Sequence, residues 1–122
     1  MAWFEAHDTM PRHPKTLKLA RLLKVDRRYA VGLLHDLFSW GLTAARKDGE
    51  LTGLEAGDIA SALDLPPGKK GEAAVSALVE SGYLEFRGNS YYIHDWYDYT
   101  GKLMEKRESD RRRKAEMRRN SV

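Results

Sequence analysis

The sequence predicts an α+β fold, mainly helical, and three observations in the stretch from Leu51 to His94 predict it. Two segments with apolar residues at helical spacing are separated by Pro66-Pro67-Gly68, which cannot continue a helix. Gly82 closes the second segment, as glycine does at helix C-termini. Two short alternating runs, Tyr83 to Arg87 and Ser90 to His94, flank Gly88-Asn89, a pair that tolerates the positive φ of a tight hairpin. Helix, breaker, helix and hairpin in that order describe a winged helix-turn-helix with a two-stranded wing.

The elements follow in chain order. Trp3, Phe4 and Ala6 form a short apolar start, suited to an edge strand or a segment laid across the core. Pro14 suits the first position of helix one, where its missing N–H costs nothing. Leu17, Leu19, Ala20, Leu22 and Leu23 supply the apolar stripe. Lys15, Lys18, Arg21 and Lys24 recur on the other side, as a solvated face or a phosphate-facing stripe. Asp26 is placed to cap a helix over about 27–47. Ala30, Leu33, Leu34, Leu37, Phe38, Gly41 and Ala45 share one of its faces, and Tyr29 and Trp40 lie toward another. Apolar groups on more than one face mark a helix that is central or holds a partner, and this one reads as the backbone of the core. Asp48-Gly49 ends it, and Glu50-Leu51 is placed to pair with the later hairpin.

Thr52 to Glu55 matches a capping box for helix three, which would turn Ile59, Ala60, Leu63 and Leu65 inward. Helix four, over about 69–81, points Ala74, Val75, Leu78 and Val79 at the core. Asp95 is placed to cap a last helix docking Trp96, Tyr99 and Leu103. Beyond Met104 apolar residues nearly vanish, so the chain is expected to form a frayed helix or a disordered arm. The expected division is a winged-helix domain over 1–101 and a basic tail or linker over 102–122.

Charge supports that division. Residues 1–101 hold 12 Lys and Arg against 14 Asp and Glu; residues 102–122 hold 9 against 4. The net charge of +3 therefore comes from the tail, which suits a polyanionic partner. With no cysteine, neither a disulfide framework nor a cysteine zinc site can form. No signal peptide or membrane-length apolar run is visible, so a cytoplasmic protein is expected.

Three His-Asp dipeptides, His7-Asp8, His35-Asp36 and His94-Asp95, raise the question of a metal-dependent hydrolase. Neighbouring residues on a helix or strand point apart, so such pairs are weak evidence alone. The nucleotide-binding, zinc-protease and serine-hydrolase signatures are absent. No catalytic residue, cofactor or metal is expected, and the chain reads as non-enzymatic.

The chemistry that remains is nucleic-acid binding. In a helix-turn-helix the second helix usually enters the major groove. Its face opposite the core carries Lys69, Glu72, Ala73, Ser76 and Glu80, flanked by Lys70 and Ala77. Arginine is absent there, so bidentate guanine recognition is unavailable, and two carboxylates would repel phosphates. Lys69, Lys70 and Ser76 remain candidate DNA contacts, with Arg87 and Asn89 on the wing; a protein-contact or solvated face is the alternative. The tail is the stronger electrostatic signal. Lys102, Lys106, Arg107, Arg111, Arg112, Arg113, Lys114, Arg118 and Arg119 would neutralise phosphates and give salt-sensitive, sequence-independent affinity. A solubilising terminus or a linker would use the same composition.

At the opening Trp3-Phe4 with Asp8, the step Leu78-Val-Glu-Ser-Gly82-Tyr-Leu84, and Asp95-Trp96 with Tyr99 before a Lys/Arg/Glu-rich segment, the chain resembles a known group. It resembles the N-terminal domain of phage replisome-organiser proteins and the related DnaD-like replication-initiation winged helices. The resemblance spans nearly the whole chain. It implies a cytoplasmic domain that binds double-stranded origin DNA or self-associates, and that helps recruit helicase-loading or other replisome proteins. It implies no catalytic residue. Such proteins usually continue into a second domain, so the chain reads as a fragment of one or as a short relative. The acidic face of helix four departs from specific DNA reading. The alternatives are a protein-interaction module, for which Tyr29, Trp40, Tyr91, Tyr92 and Tyr97 would serve, and a sequence-specific transcription regulator.

Overall fold

The computed structural model describes residues 9–96 and 111–118 of the chain. A short 3-10 turn, Met10–Arg12, leads into α1 (Pro14–Leu23), α2 (Arg27–Ala44), β1 (Glu50–Leu51), α3 (Ala56–Ala62), α4 (Lys69–Glu80), β2 (Leu84–Arg87) and β3 (Ser90–Ile93). A further helix, α5, covers 111–118. The fold is α+β and mainly helical, with a small antiparallel sheet in the order β1-β3-β2. Its layout is consistent with a winged helix.

Local chemistry explains most boundaries. Pro14 stands at the start of α1, and the His13 ring accepts from the Lys15 N–H at 3.1 Å. Lys24 stops α1 in the left-handed region at φ 57°. Asp26 caps α2 through its carboxylate, which accepts from the Tyr29 N–H at 2.9 Å. Helix α2 ends at Ala44 and not near residue 47, because Ala45 turns extended and Arg46 donates its N–H to the Glu50 carbonyl. Helix α3 begins later than the Thr52 box requires. The Thr52 hydroxyl donates instead to the Glu50 carboxylate at 2.8 Å, and the capping pair is Glu55 with Asp58, which accepts the Glu55 N–H at 2.9 Å.

The core joins α1 to α4 and one face of the sheet. Leu19, Leu34, Leu37, Phe38, Leu51, Ile59, Leu78, Leu84 and Ile93 are fully enclosed. Trp96 closes it at one end, with its ring tilted 37° to Phe38 at a centroid distance of 6.3 Å. The expected inward faces of α2 and α3 are buried as the spacing predicted, apart from Ala45, which is half-buried at the end of α2. Five positions differ; two of them, Leu22 and Leu23 of the expected α1 stripe, are only partly buried. Leu17 is 48% exposed, because the stripe of α1 is centred on Thr16, Leu19 and Ala20. Ala77 is buried, because α4 packs against α1 and α3 as well as β2, leaving a narrower outer face than the sequence implied. Val79, expected to point inward, is only partly buried.

Thr16 and Ser81 are buried polar residues among the described ones, and Thr16 is fully enclosed. Its hydroxyl lies 2.6 Å from the Met10 carbonyl, to which it donates, and 2.5 Å from the Tyr83 hydroxyl. A hydroxyl enclosed this way is stabilised only because both neighbours satisfy it. The opening segment Trp3 to Ala6, the expected boundary at 101–102, and Tyr97, Tyr99 and Leu103 of the expected last helix lie outside the described residues. Among the described residues no helix is long and apolar enough to cross a membrane.

Candidate nucleic-acid interface

The wing forms because its turn suits its residues. Gly88 and Asn89 both take positive φ, 57° and 62°, the geometry whose twist matches two antiparallel strands. The register pairs Leu84 with Ile93, Glu85 with Tyr92, Phe86 with Tyr91 and Arg87 with Ser90. Strand β1 pairs on the other side of β3, with Glu50 opposite Tyr92. Period-two alternation then divides the sheet into two faces. Leu84 and Ile93 plug the core, and Phe86 and Tyr91 continue that face toward the tip. Glu85, Arg87, Tyr92 and Glu50 occupy the outer face.

The outer face is a connected polar surface. The Tyr92 hydroxyl donates to the Glu50 carboxylate at 2.8 Å. The Arg87 guanidinium stacks 3.8 Å from the Tyr92 ring centroid and pairs with Glu85 at 3.3 Å. Hydrogen bonds from Tyr92 and then Thr52 hold the Glu50 carboxyl below the usual range. The hydrogen bond with His94, more than the nearby charges, does the same for Glu85. His94 also lies 3.1 Å from the Asp95 carboxylate through its other ring nitrogen. This corrects the expectation that an adjacent His and Asp point apart. Asp95 turns into positive φ, 53°, and its side chain doubles back. The backbone amides that Asp95 would cap lie outside the described residues.

Beside this surface is an open cleft of about 430 Å³, lined by Thr9, Met10, His13, Lys15, Tyr83, His94 and Asp95. The Lys15 ammonium sits 4.7 Å from the Tyr83 ring centroid. Burial lowers the Lys15 pKa, and the charges of Asp95 and Glu85 oppose that shift. Burial raises the Tyr83 hydroxyl pKa, against the hydrogen bond with Thr16. Charges of both signs converge here, so the cleft is no simple anion pocket.

The depressed carboxyls fix the sign of a pH response. A carboxylate whose folded pKa lies below its unfolded value stabilises the fold above the unfolded pKa, about 4.3 for Glu, and loses that contribution as pH falls through the folded value. The urea midpoint is therefore expected to fall between about pH 5 and pH 3. A Glu50→Gln/Glu85→Gln variant should show a shallower fall than the parent chain. Equal steepness would show that neither group carries the response.

The candidate contacts separate into three places. Lys69 and Lys70 are exposed at the start of α4, Ser76 is exposed mid-helix, and Glu72 and Glu80 share the outer face. Lys69 and Glu80 are separated by roughly 16 Å of helix. Arg87 and Asn89 are exposed on the wing. Arg111, Arg112, Arg113, Lys114 and Arg118 are exposed on α5. Lys102, Lys106, Arg107 and Arg119 lie outside the described residues. The residues brought together in space are those of the wing and its root, not those of α4. Of the His-Asp pairs, His35 and Asp36 are exposed on α2, and His7-Asp8 lies outside the described residues. Among the described residues no group of three or more His, Cys, Asp or Glu side chains is arranged so that it could hold a metal ion.

Sequence reasoning missed Phe86, which is 54% exposed, and the anchoring of Lys15 by Tyr83. The alternation marked Tyr83 to Arg87 as a strand but could not show that the hairpin outgrows the core. Comparison with known proteins leaves these geometric features to stand alone. No family model matches the chain, and neither curated proteins nor solved structures yield a match.

Proposed function

We propose that the chain is a non-enzymatic winged-helix protein that binds double-stranded DNA through its wing and a basic C-terminal arm. The observation that carries this reading is α5, where Arg111, Arg112, Arg113, Lys114 and Arg118 face solvent against a single acid, Glu116. Such a helix attracts a polyanion and gains affinity by releasing its counterions. Arg87 and Asn89 would meet the backbone or minor groove from the wing. The outer face of α4, with Glu72 and Glu80, is ill suited to dominate contact with phosphates. A role in phage or mobile-element replication rests on the resemblance to replisome organisers alone.

A fluorescence titration of the full chain against duplex DNA tests the proposal. Binding should be measurable at low salt and weaken linearly in log salt, with a slope of about −0.9 per neutralised phosphate. Deleting residues 105–122 should make that slope shallower. Undetectable binding at low salt removes the proposal; an unchanged slope after the deletion removes the role of the arm.

The exposed α4 face favours a second reading. Ala73 and Ser76 permit close approach and Glu72 and Glu80 suit a basic protein, so this helix would serve self-association or a replisome partner while the wing and arm hold DNA.

A further inference from the structure

We propose that the tip of the wing is a stacking site for an unpaired nucleobase, centred on Phe86 and braced by Tyr91. This rests on the DNA-binding reading above and adds to it a preference for single-stranded or locally opened DNA. Leu84 and Ile93 are buried, yet Phe86, one step further out on the same face, is 54% exposed. Its ring is not loose. Tyr91, directly opposite in the register, holds it at a centroid distance of 4.7 Å with the planes inclined by 48°. A braced ring with more than half its surface in water offers a ready-made π-face.

The surroundings select the occupant. Arg87 and Ser90 pair at the next register step beyond Phe86, on the other face, and the exposed turn residues Gly88 and Asn89 follow, so the ring stands at the end of the ribbon among polar positions. The other large apolar side chains that are exposed among the described residues, Leu17, Tyr29 and Met117, belong to α1, α2 and α5. Contiguous exposed apolar patches larger than a few hundred Å² are what mark a protein-contact surface, and a single ring is far smaller. One ring matches one base, and every base has a π-face, so recognition would tolerate sequence. Alternation puts Arg87 on the opposite face of the ribbon, held by its stack on Tyr92. A strand crossing the tip would place a base against Phe86 and a phosphate toward Arg87. The pairing of Arg87 with Glu85 is solvent-exposed and weak enough to yield to a phosphate.

Fluorescence anisotropy of the full chain tests the proposal with three labelled probes at one salt concentration: a thymidine oligonucleotide, a fully paired duplex, and the same duplex with a central unpaired bubble. Phe86→Ala should weaken the oligonucleotide and bubble by about tenfold, within the range expected for losing one base stack, and leave the duplex nearly unchanged. Phe86→Trp should retain the parent affinities. Equal loss on duplex and single strand, or no loss on any probe, overturns the stacking site and leaves duplex binding intact. A concentration-dependent mass of the parent that Phe86→Ala abolishes, with DNA affinities unchanged, would assign the ring to self-association. Failure of the parent chain to bind all three probes overturns the DNA-binding reading and the inference with it.

Discussion

Trp96→Ala is expected to lower the unfolding free energy by about 3–5 kcal/mol, the usual cost of removing a large aromatic side chain from a core. Trp96 is 3% exposed and lies across the junction of α2 and the sheet. Two glycines pack closely against it and against Ile93. A methyl group on Gly41 would come within 2.9 Å of the Trp96 ring and 2.6 Å of the Ile93 side chain. One on Gly49 would come within 2.8 Å of the Trp96 Cβ and 2.6 Å of the Ile93 carbonyl. With the backbone this closely fitted around the indole, its removal leaves a cavity that the surroundings cannot readily collapse into. Urea denaturation followed by circular dichroism should show a large drop in midpoint, with Trp96→Phe intermediate. A loss below about 1 kcal/mol would mean that the indole does not close the core.

Gly71→Ala is expected to destabilise the domain by about 2 kcal/mol, although alanine is the better helix former by about 1 kcal/mol. The added carbon would sit 2.2 Å from the Pro66 carbonyl oxygen and 2.9 Å from the Ala60 side chain, at the point where α3 turns into α4. A backbone carbonyl in a double-proline turn cannot swing aside, so the helices themselves must part. Gly32→Ala in α2 is the natural contrast. No atom lies within 4 Å of its new carbon, so the same substitution should stabilise by about 0.5–1 kcal/mol. Thermal melts of the two variants should move in opposite directions. Shifts of the same sign would contradict the close approach at the α3–α4 junction.

The elements legible in the sequence are those decided by neighbouring residues. Asp26 caps α2, Pro66-Pro67-Gly68 breaks the helix pair and Gly88-Asn89 turns the wing, each by chemistry confined to a few positions. The missed features depend on partners distant in sequence or on competition. Thr16 is enclosed in place of Leu17 because the Tyr83 hydroxyl, 67 positions later, satisfies it. Thr52 is a plausible cap until Glu50 takes its hydroxyl. The exposure of Phe86 depends on where the core stops, which alternation within a strand does not encode. For the candidate interface, the residue types of the wing and tail were readable. The network joining Arg87, Tyr92, Glu85 and His94 required the register of the sheet.

The hydrogen bond between Thr16 and Tyr83 has a consequence for how the domain is assembled. It fastens the first helix to the root of the wing across most of the described body, a contact of high sequence separation. Closing so long a loop carries a chain-entropy cost that is repaid only when the intervening helices have packed. Cut away from α1, the segment from Leu51 to His94 would carry a tyrosine hydroxyl stripped of its partner and a bare face on α4, so it is expected to unfold together with the N-terminal helices and not as a detachable cassette.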